Sequence, residues 1–136
     1  MQVNPYLSFN GQCAEAFRFY QRALGGTIEM LMSVGQSPMA DQAPPEHKDR
    51  IMHASMRIGD TQIMGGDGPP SSFRPMQGFC VNLAIADPAE AERVFAVLAE
   101  GGQVGMPIAE TFWAKRFGMV TDRFGTPWMV NCSKPM

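Results

Sequence analysis

The largely apolar stretch of residues 3–9 (VNPYLSF) reads as a short strand, and an Asn-Gly pair ends the run. The spacing then changes. In CAEAFRFYQRALGG, residues Ala16, Phe17, Phe19, Tyr20, Ala23 and Leu24 fall on one helical face. Gly25-Gly26 follows, and glycine accepts the left-handed conformation that closes a helix. TIEMLMSV predicts a second strand. GQSPMADQAPPEHKD, rich in Pro, Gly and polar groups, predicts a long loop. RIMHASMRIG and TQIMGGD predict a hairpin that turns at Gly59-Asp60.

The same order then returns. QGFCVNLAI reads as a strand. DPAEAERVFAVLAEGG reads as a helix with Asp87 as its cap, Pro88 at the first helical position, Glu90 completing a capping box and Gly101-Gly102 closing it. QVGMPI is a weaker strand, and RFGMVTD and TPWMVNC form a last hairpin across the DRFG turn. The helix-closing glycine pairs lie 76 positions apart, and at that offset Phe19 meets Phe95 and Ala23 meets Ala99. The chain is therefore an internal repeat of strand-helix-strand-strand-strand. Residues 1–136 are expected to form one domain, with module one at about 3–67 and module two at about 78–132.

Composition narrows the function classes. The net charge of -2 lacks the basic footprint of nucleic-acid binding, so no nucleic-acid partner is expected. No apolar run approaches the ~20 residues of a membrane span. The N-terminal MQVNPYLSFNGQ has no basic region followed by an apolar block, so a cytoplasmic location is the expectation. Three widely spaced cysteines, Cys13, Cys80 and Cys132, form no CxxC pair and no disulfide framework. Twelve methionines supply adaptable apolar surface, and only two histidines limit metal chemistry.

The repeat, carried by YLSFNGQCAEAFRFYQRALGG, HASMRIGDTQIMGGD and FGMVTDRFGTPWMVN, resembles the PhnB-like branch of the vicinal oxygen chelate superfamily. That superfamily takes in glyoxalase I, the bleomycin-resistance proteins and the extradiol dioxygenases. The resemblance spans roughly residues 4–131. It implies an α+β fold of two βαβββ modules whose mixed, largely antiparallel sheets curl into a cup. It also implies a homodimer. The branch is often labelled a 3-demethylubiquinone methyltransferase-like domain. S-adenosylmethionine-dependent methyl transfer is not expected here, because there is no G-x-G loop after a strand and no room for a doubly wound fold.

Metal-dependent relatives take His and Glu ligands from the first and last strands of each module. At those places this chain offers Tyr6 and Ser8, Gln62, Asn82, and Met129 with Asn131. No metal ligand and no other cofactor is assigned, since a hard divalent ion needs an oxygen- and nitrogen-rich shell. Strand alternation puts Met129 and Asn131 on one face and Trp128 and Val130 on the other, so Trp128 belongs under the sheet. The cup side is expected to carry Tyr6 or Leu7, Asn82, Phe117 and Met129, with Trp113 at its rim. Tyr6, Asn82, Trp113, Phe117 and Met129 are the candidate ligand contacts.

His53 is the candidate catalytic base, against a plain reading as a hydrogen-bonded strand histidine. His47 and Glu110 read as solvated loop groups, Asp67 and Asp122 as turn residues, and Cys80 and Cys132 as packed strand thiols. A pocket of Met, aromatic and amide groups suits a small, partly apolar molecule. The expected function is a dimeric, metal-free binder of such a ligand. The alternatives are a metal-dependent or His/Cys-based lyase, isomerase or transferase, and a protein-interaction surface.

Overall fold

Pro5 has no backbone N–H to give a strand ladder, and the first strand, β1, accordingly runs from Tyr6–Phe9 rather than from residue 3. The computed structural model describes residues 1–135. It divides into two units, Met1–Pro75 and a second from Met76 onward. In the first, β1 is followed by helix α1 (Cys13–Leu24) and strands β2 (Thr27–Ser33), β3 (Ile51–Ile58) and β4 (Thr61–Asp67). The sheet order is β1-β4-β3-β2, with β1 parallel to β4 and the other pairs antiparallel.

The predicted apolar face of α1 is the buried one. Ala16, Phe17, Phe19, Tyr20 and Ala23 are all inside, and Leu24 is half-buried. Gly25 closes the helix at φ 73°, donating its N–H to Gln21 O at 2.9 Å. Phe9, Phe17 and Tyr20 cluster with ring centroids 6.0–6.4 Å apart. Phe17 lies directly on Gly65, where a Cβ would sit 3.0 Å from the ring and 2.7 Å from Leu7 O.

The start of α1 is held from another element. Gln12 offers no side-chain cap. Asp67 supplies one instead: Gly11 N and Cys13 N donate to Oδ1 at 2.8 and 3.1 Å, and Ile51 N donates to Oδ2 at 2.9 Å. Asp67 is thus not the turn residue that Gly-Asp-Gly suggested. It is the last residue of β4, buried, and it satisfies helix donors that otherwise lack a partner.

The second unit repeats the design with β5 (Val81–Ala84), α2 (Pro88–Leu98), β6 (Gln103–Ala109), β7 (Ala114–Thr121) and β8 (Pro127–Ser133). Its order, β5-β8-β7-β6, and its single parallel pair, β5 with β8, match the first sheet. The chain is therefore α+β, with two four-stranded mixed sheets and one helix to each. Strand β5 begins later than expected. Gly78, at φ 80°, turns the chain just before it and leaves Phe79 and Cys80 outside the strand.

Asp87 caps α2 as predicted, its Oδ2 accepting from Glu90 N at 3.2 Å, with Pro88 in the first turn. The capping box is incomplete, because the Glu90 carboxylate turns to Arg93 one turn on. That hydrogen bond also holds the Glu90 carboxyl below the usual range. Asp122 does make the DRFG turn, its Oδ1 accepting from Phe124 N at 2.8 Å and Thr126 N at 3.1 Å. It does more, since Oδ2 accepts the indole N–H of the fully buried Trp128 at 2.8 Å.

Candidate functional site

Register decides which side chains share a face. In β8, Trp128, Val130 and Cys132 are all fully buried, on the side that α2 covers. Phe95 of α2 approaches that side at Gly118, where a Cβ would lie 2.7 Å from its ring. Met129 and Asn131 therefore point to the open face. Asn82 pairs with Met129 across β5, and Met119 and Phe117 pair with Met129 and Asn131 across β7. Four of the five predicted contacts, Asn82, Trp113, Phe117 and Met129, thus belong to one place. Trp113 precedes β7, its ring 5.2 Å from Phe117 and 4.8 Å from Phe112. Its carbonyl accepts the Lys134 N–H at 3.0 Å, which ties it to the chain leaving β8.

Within this face Asn131 stands out. Its Oδ1 is buried and accepts no hydrogen bond from the described residues. An unpartnered buried acceptor costs roughly 1–3 kcal/mol, so a donor brought to it is favourably received. Phe117 is almost fully covered, while Trp113 remains 41% exposed.

Tyr6 belongs to the first unit. Leu7 is fully buried, which settles the phase of β1 and puts Tyr6 outward. Its ring stacks on His53, with centroids 6.0 Å apart and planes 29° apart. Its hydroxyl lies over Gly66, where a Cβ would be 2.7 Å away. Burial, with Cys13 and Asp67 nearby, raises the Tyr6 phenol. The His53 side chain makes this ring contact and no side-chain hydrogen bond to the described residues.

The remaining candidates separate cleanly. Glu110 pairs with Lys134 at 2.9 Å, which lowers its carboxyl, as a surface ion pair does. Cys132 is buried with its Sγ 3.4 Å from Ala86 O. Cys13 is also buried, and loss of hydration with Asp67 beside it pushes its thiol up to about 12, so it carries no ready thiolate. His47, expected in solvent, instead lines a pocket of about 450 Å3 under the long loop, together with Arg50. The signal available for that pocket was loop length, since structureless connections this long commonly carry function.

The superfamily's divalent ion does not fit the residues at its expected positions. Register puts a thioether, Met129, beside the amide of Asn82, where a hard cation needs carboxylate or imidazole. Among the described residues, no three His, Cys, Asp or Glu side chains converge. Nor, among them, is any helix long and apolar enough to cross a membrane.

The family described as 3-demethylubiquinone-9 3-methyltransferase matches residues 1–131. The chain is 39% identical over 142 residues to Protein YjdN of Escherichia coli (strain K12), covering 98% of this chain and 97% of that one. Its fold superposes on protein PA1353 from Pseudomonas aeruginosa with a TM-score of 0.91 at 47% identity, over 99% of each chain. The fosfomycin resistance protein FosX from Listeria monocytogenes shares the fold alone, with a TM-score of 0.68 at 10% identity over 98% of this chain and 93% of that one. The repeated sheets, the register and these likenesses agree: the chain belongs to the PhnB-like 3-demethylubiquinone-9 3-methyltransferase family, within the glyoxalase and bleomycin-resistance fold.

Proposed function

We propose that this protein binds a small, partly apolar organic molecule on the open face of its second sheet, as a cytoplasmic homodimer and without a divalent metal. The observation that carries the reading is the bare, buried Asn131 Oδ1 among Phe117, Met129 and Asn82. Aromatic and thioether surface supplies affinity by burial, and one acceptor selects a ligand that brings a donor. Trp113 supplies an exposed aromatic edge beside Phe117. Dimerisation is supported by apolar side chains left exposed on edge strands, including Met30 on β2 and Val104 and Met106 on β6. The three free cysteines fit a reducing compartment. Methyl transfer, which the family description names, is no part of the proposal, because neither four-stranded mixed sheet is a doubly wound nucleotide-binding one.

A thermal-shift screen of small organic compounds in EDTA tests it, with sizing by light scattering. A ligand at 100 times its Kd stabilises the folded state by about 2.7 kcal/mol. The expected hit raises Tm in EDTA, loses its effect in Asn131→Leu, and meets a dimer. Stabilisation only after a divalent ion is added, or unchanged in Asn131→Leu, overturns the reading.

The stacked Tyr6–His53 pair favours a second reading, a histidine-based lyase, isomerase or transferase. Turnover of a bound compound that disappears in His53→Ala, with binding retained, supports it; turnover unchanged in that variant removes His53 from the chemistry.

A further inference from the structure

The connection between β2 and β3, residues 34–50, is a built loop. Three short 3-10 turns, Val34–Gln36, Ala40–Gln42 and Pro45–His47, shape it. Its base is closed by Val34 N donating to Arg50 O at 2.8 Å and Gly35 N donating to Lys48 O at 2.9 Å. Ser37 stiffens the interior, donating to Val34 O at 2.7 Å and accepting from Met39 N at 3.1 Å. Between this loop and the ends of β3 and β4 lies the pocket of about 450 Å3. That size falls within the ordinary range for small-molecule sites.

Its walls are mostly apolar, with Val34, Met39 and Met52 among them, and four polar side chains line it: Gln42, His47, Arg50 and Asp67. The Arg50 guanidinium is held by three hydrogen bonds. Its Nε and Nη2 donate to Gly68 O at 3.1 and 2.6 Å, and Nη2 also donates to Asn10 Oδ1 at 3.0 Å. Nη1 has no hydrogen-bond partner among the described residues. Asp67, also in the lining, has turned both oxygens to backbone N–H groups, so it does not form an ion pair with Arg50. A held cation beside an imidazole and an amide in a mostly apolar pocket, with the Asp67 carboxylate already committed to backbone donors, matches an anionic head on an apolar body.

We infer that this pocket binds a small amphiphilic organic anion, with the head on Arg50 and His47 and the apolar body against Met39 and Met52. The site lies within the first unit and shares no residue with the open face of the second sheet. Calorimetry with octanoate, and with 1-octanol as its uncharged counterpart, tests the inference. Octanoate is expected to bind at least tenfold more tightly than octanol. Arg50→Met should weaken octanoate at least tenfold and leave octanol unchanged. Met39→Trp, at a half-exposed position that tolerates bulk, should block both by filling the pocket, which keeps the test sound if Arg50→Met loosens the loop. Asn131→Leu should leave octanoate binding intact, so failure of this site and failure of the second-sheet site are told apart. Equal affinity for octanoate and octanol overturns the inference. So does octanoate binding that survives Met39→Trp, that is lost in Asn131→Leu, or that is absent from the parent.

Discussion

Asp67 joins three segments that lie far apart in the chain, so its loss is expected to be felt well beyond one contact. Removing the carboxylate in Asp67→Ala leaves the N–H groups of Gly11, Cys13 and Ile51 without acceptors. Gly11 is exposed and rehydrates at little cost, whereas Cys13 and Ile51 are buried and cannot. A buried donor left unpaired costs roughly 1–3 kcal/mol, which puts the total for the two at about 2–6 kcal/mol. That is a large part of the ~5–15 kcal/mol that holds a domain together. At roughly 3–5 °C per kcal/mol for a chain of this size, Tm should fall by about 6 °C or more. Asp67→Asn retains one carbonyl, able to serve Gly11 and Cys13, but sets an amide donor against Ile51 N–H. It should fall between the parent and the alanine variant. Thermal melts followed by far-UV circular dichroism, with urea midpoints at constant m, measure both. An alanine variant that melts within about 3 °C of the parent would refute the idea that Asp67 caps α1 and anchors β3.

Three further outcomes follow from the packing. Gly118→Ala puts a Cβ 2.7 Å from the Phe95 ring and 3.0 Å from Ile108 Cα, so urea unfolding should show a loss of about 1–3 kcal/mol; no loss would mean that α2 moves off the sheet freely. Trp128→Phe removes the indole N–H from buried Asp122 and leaves a void, so about 2–4 kcal/mol should be lost; a loss under about 0.5 kcal/mol would remove the bond from the stability of the last hairpin. For Cys13, the folded thiol ionises only near 12 while the unfolded one does so near 9, so the unfolded chain releases its proton first as pH rises. The stability that protonated Cys13 confers is fully present below about pH 9. Relative to Cys13→Ala it should fall by about 1.4 kcal/mol per pH unit between about 9 and 12; parallel pH profiles of parent and variant would contradict that assignment.

Much of the fold was legible along the chain because short-range periodicity follows from backbone geometry. The apolar face of α1, the Asp87 cap and the closing glycine at 25 all rest on residues a few positions apart, and each appears where expected. The assignment of Trp128 beneath the sheet and Met129 on its open face also came from alternation alone, and the pairing of β8 with β5 and β7 agrees. What alternation could not decide was phase in a strand lacking a contrast of polarity. Tyr6 and Leu7 were equivalent until the burial of Leu7 against the rest of the first unit fixed the face, because a slip of one residue exchanges the faces.

Partnership over distance was likewise invisible. Asp67 reads locally as a turn in Gly-Asp-Gly, yet it caps a helix that begins 54 residues earlier. Nothing in PPEHKD places His47 beside a guanidinium held by Gly68 and Asn10. The sequence by itself determined the order of elements and the faces that their periodicity buries. Only the tertiary structure decided which polar groups meet, because a hydrogen bond or a pocket joins residues whose separation along the chain says nothing of their separation in space.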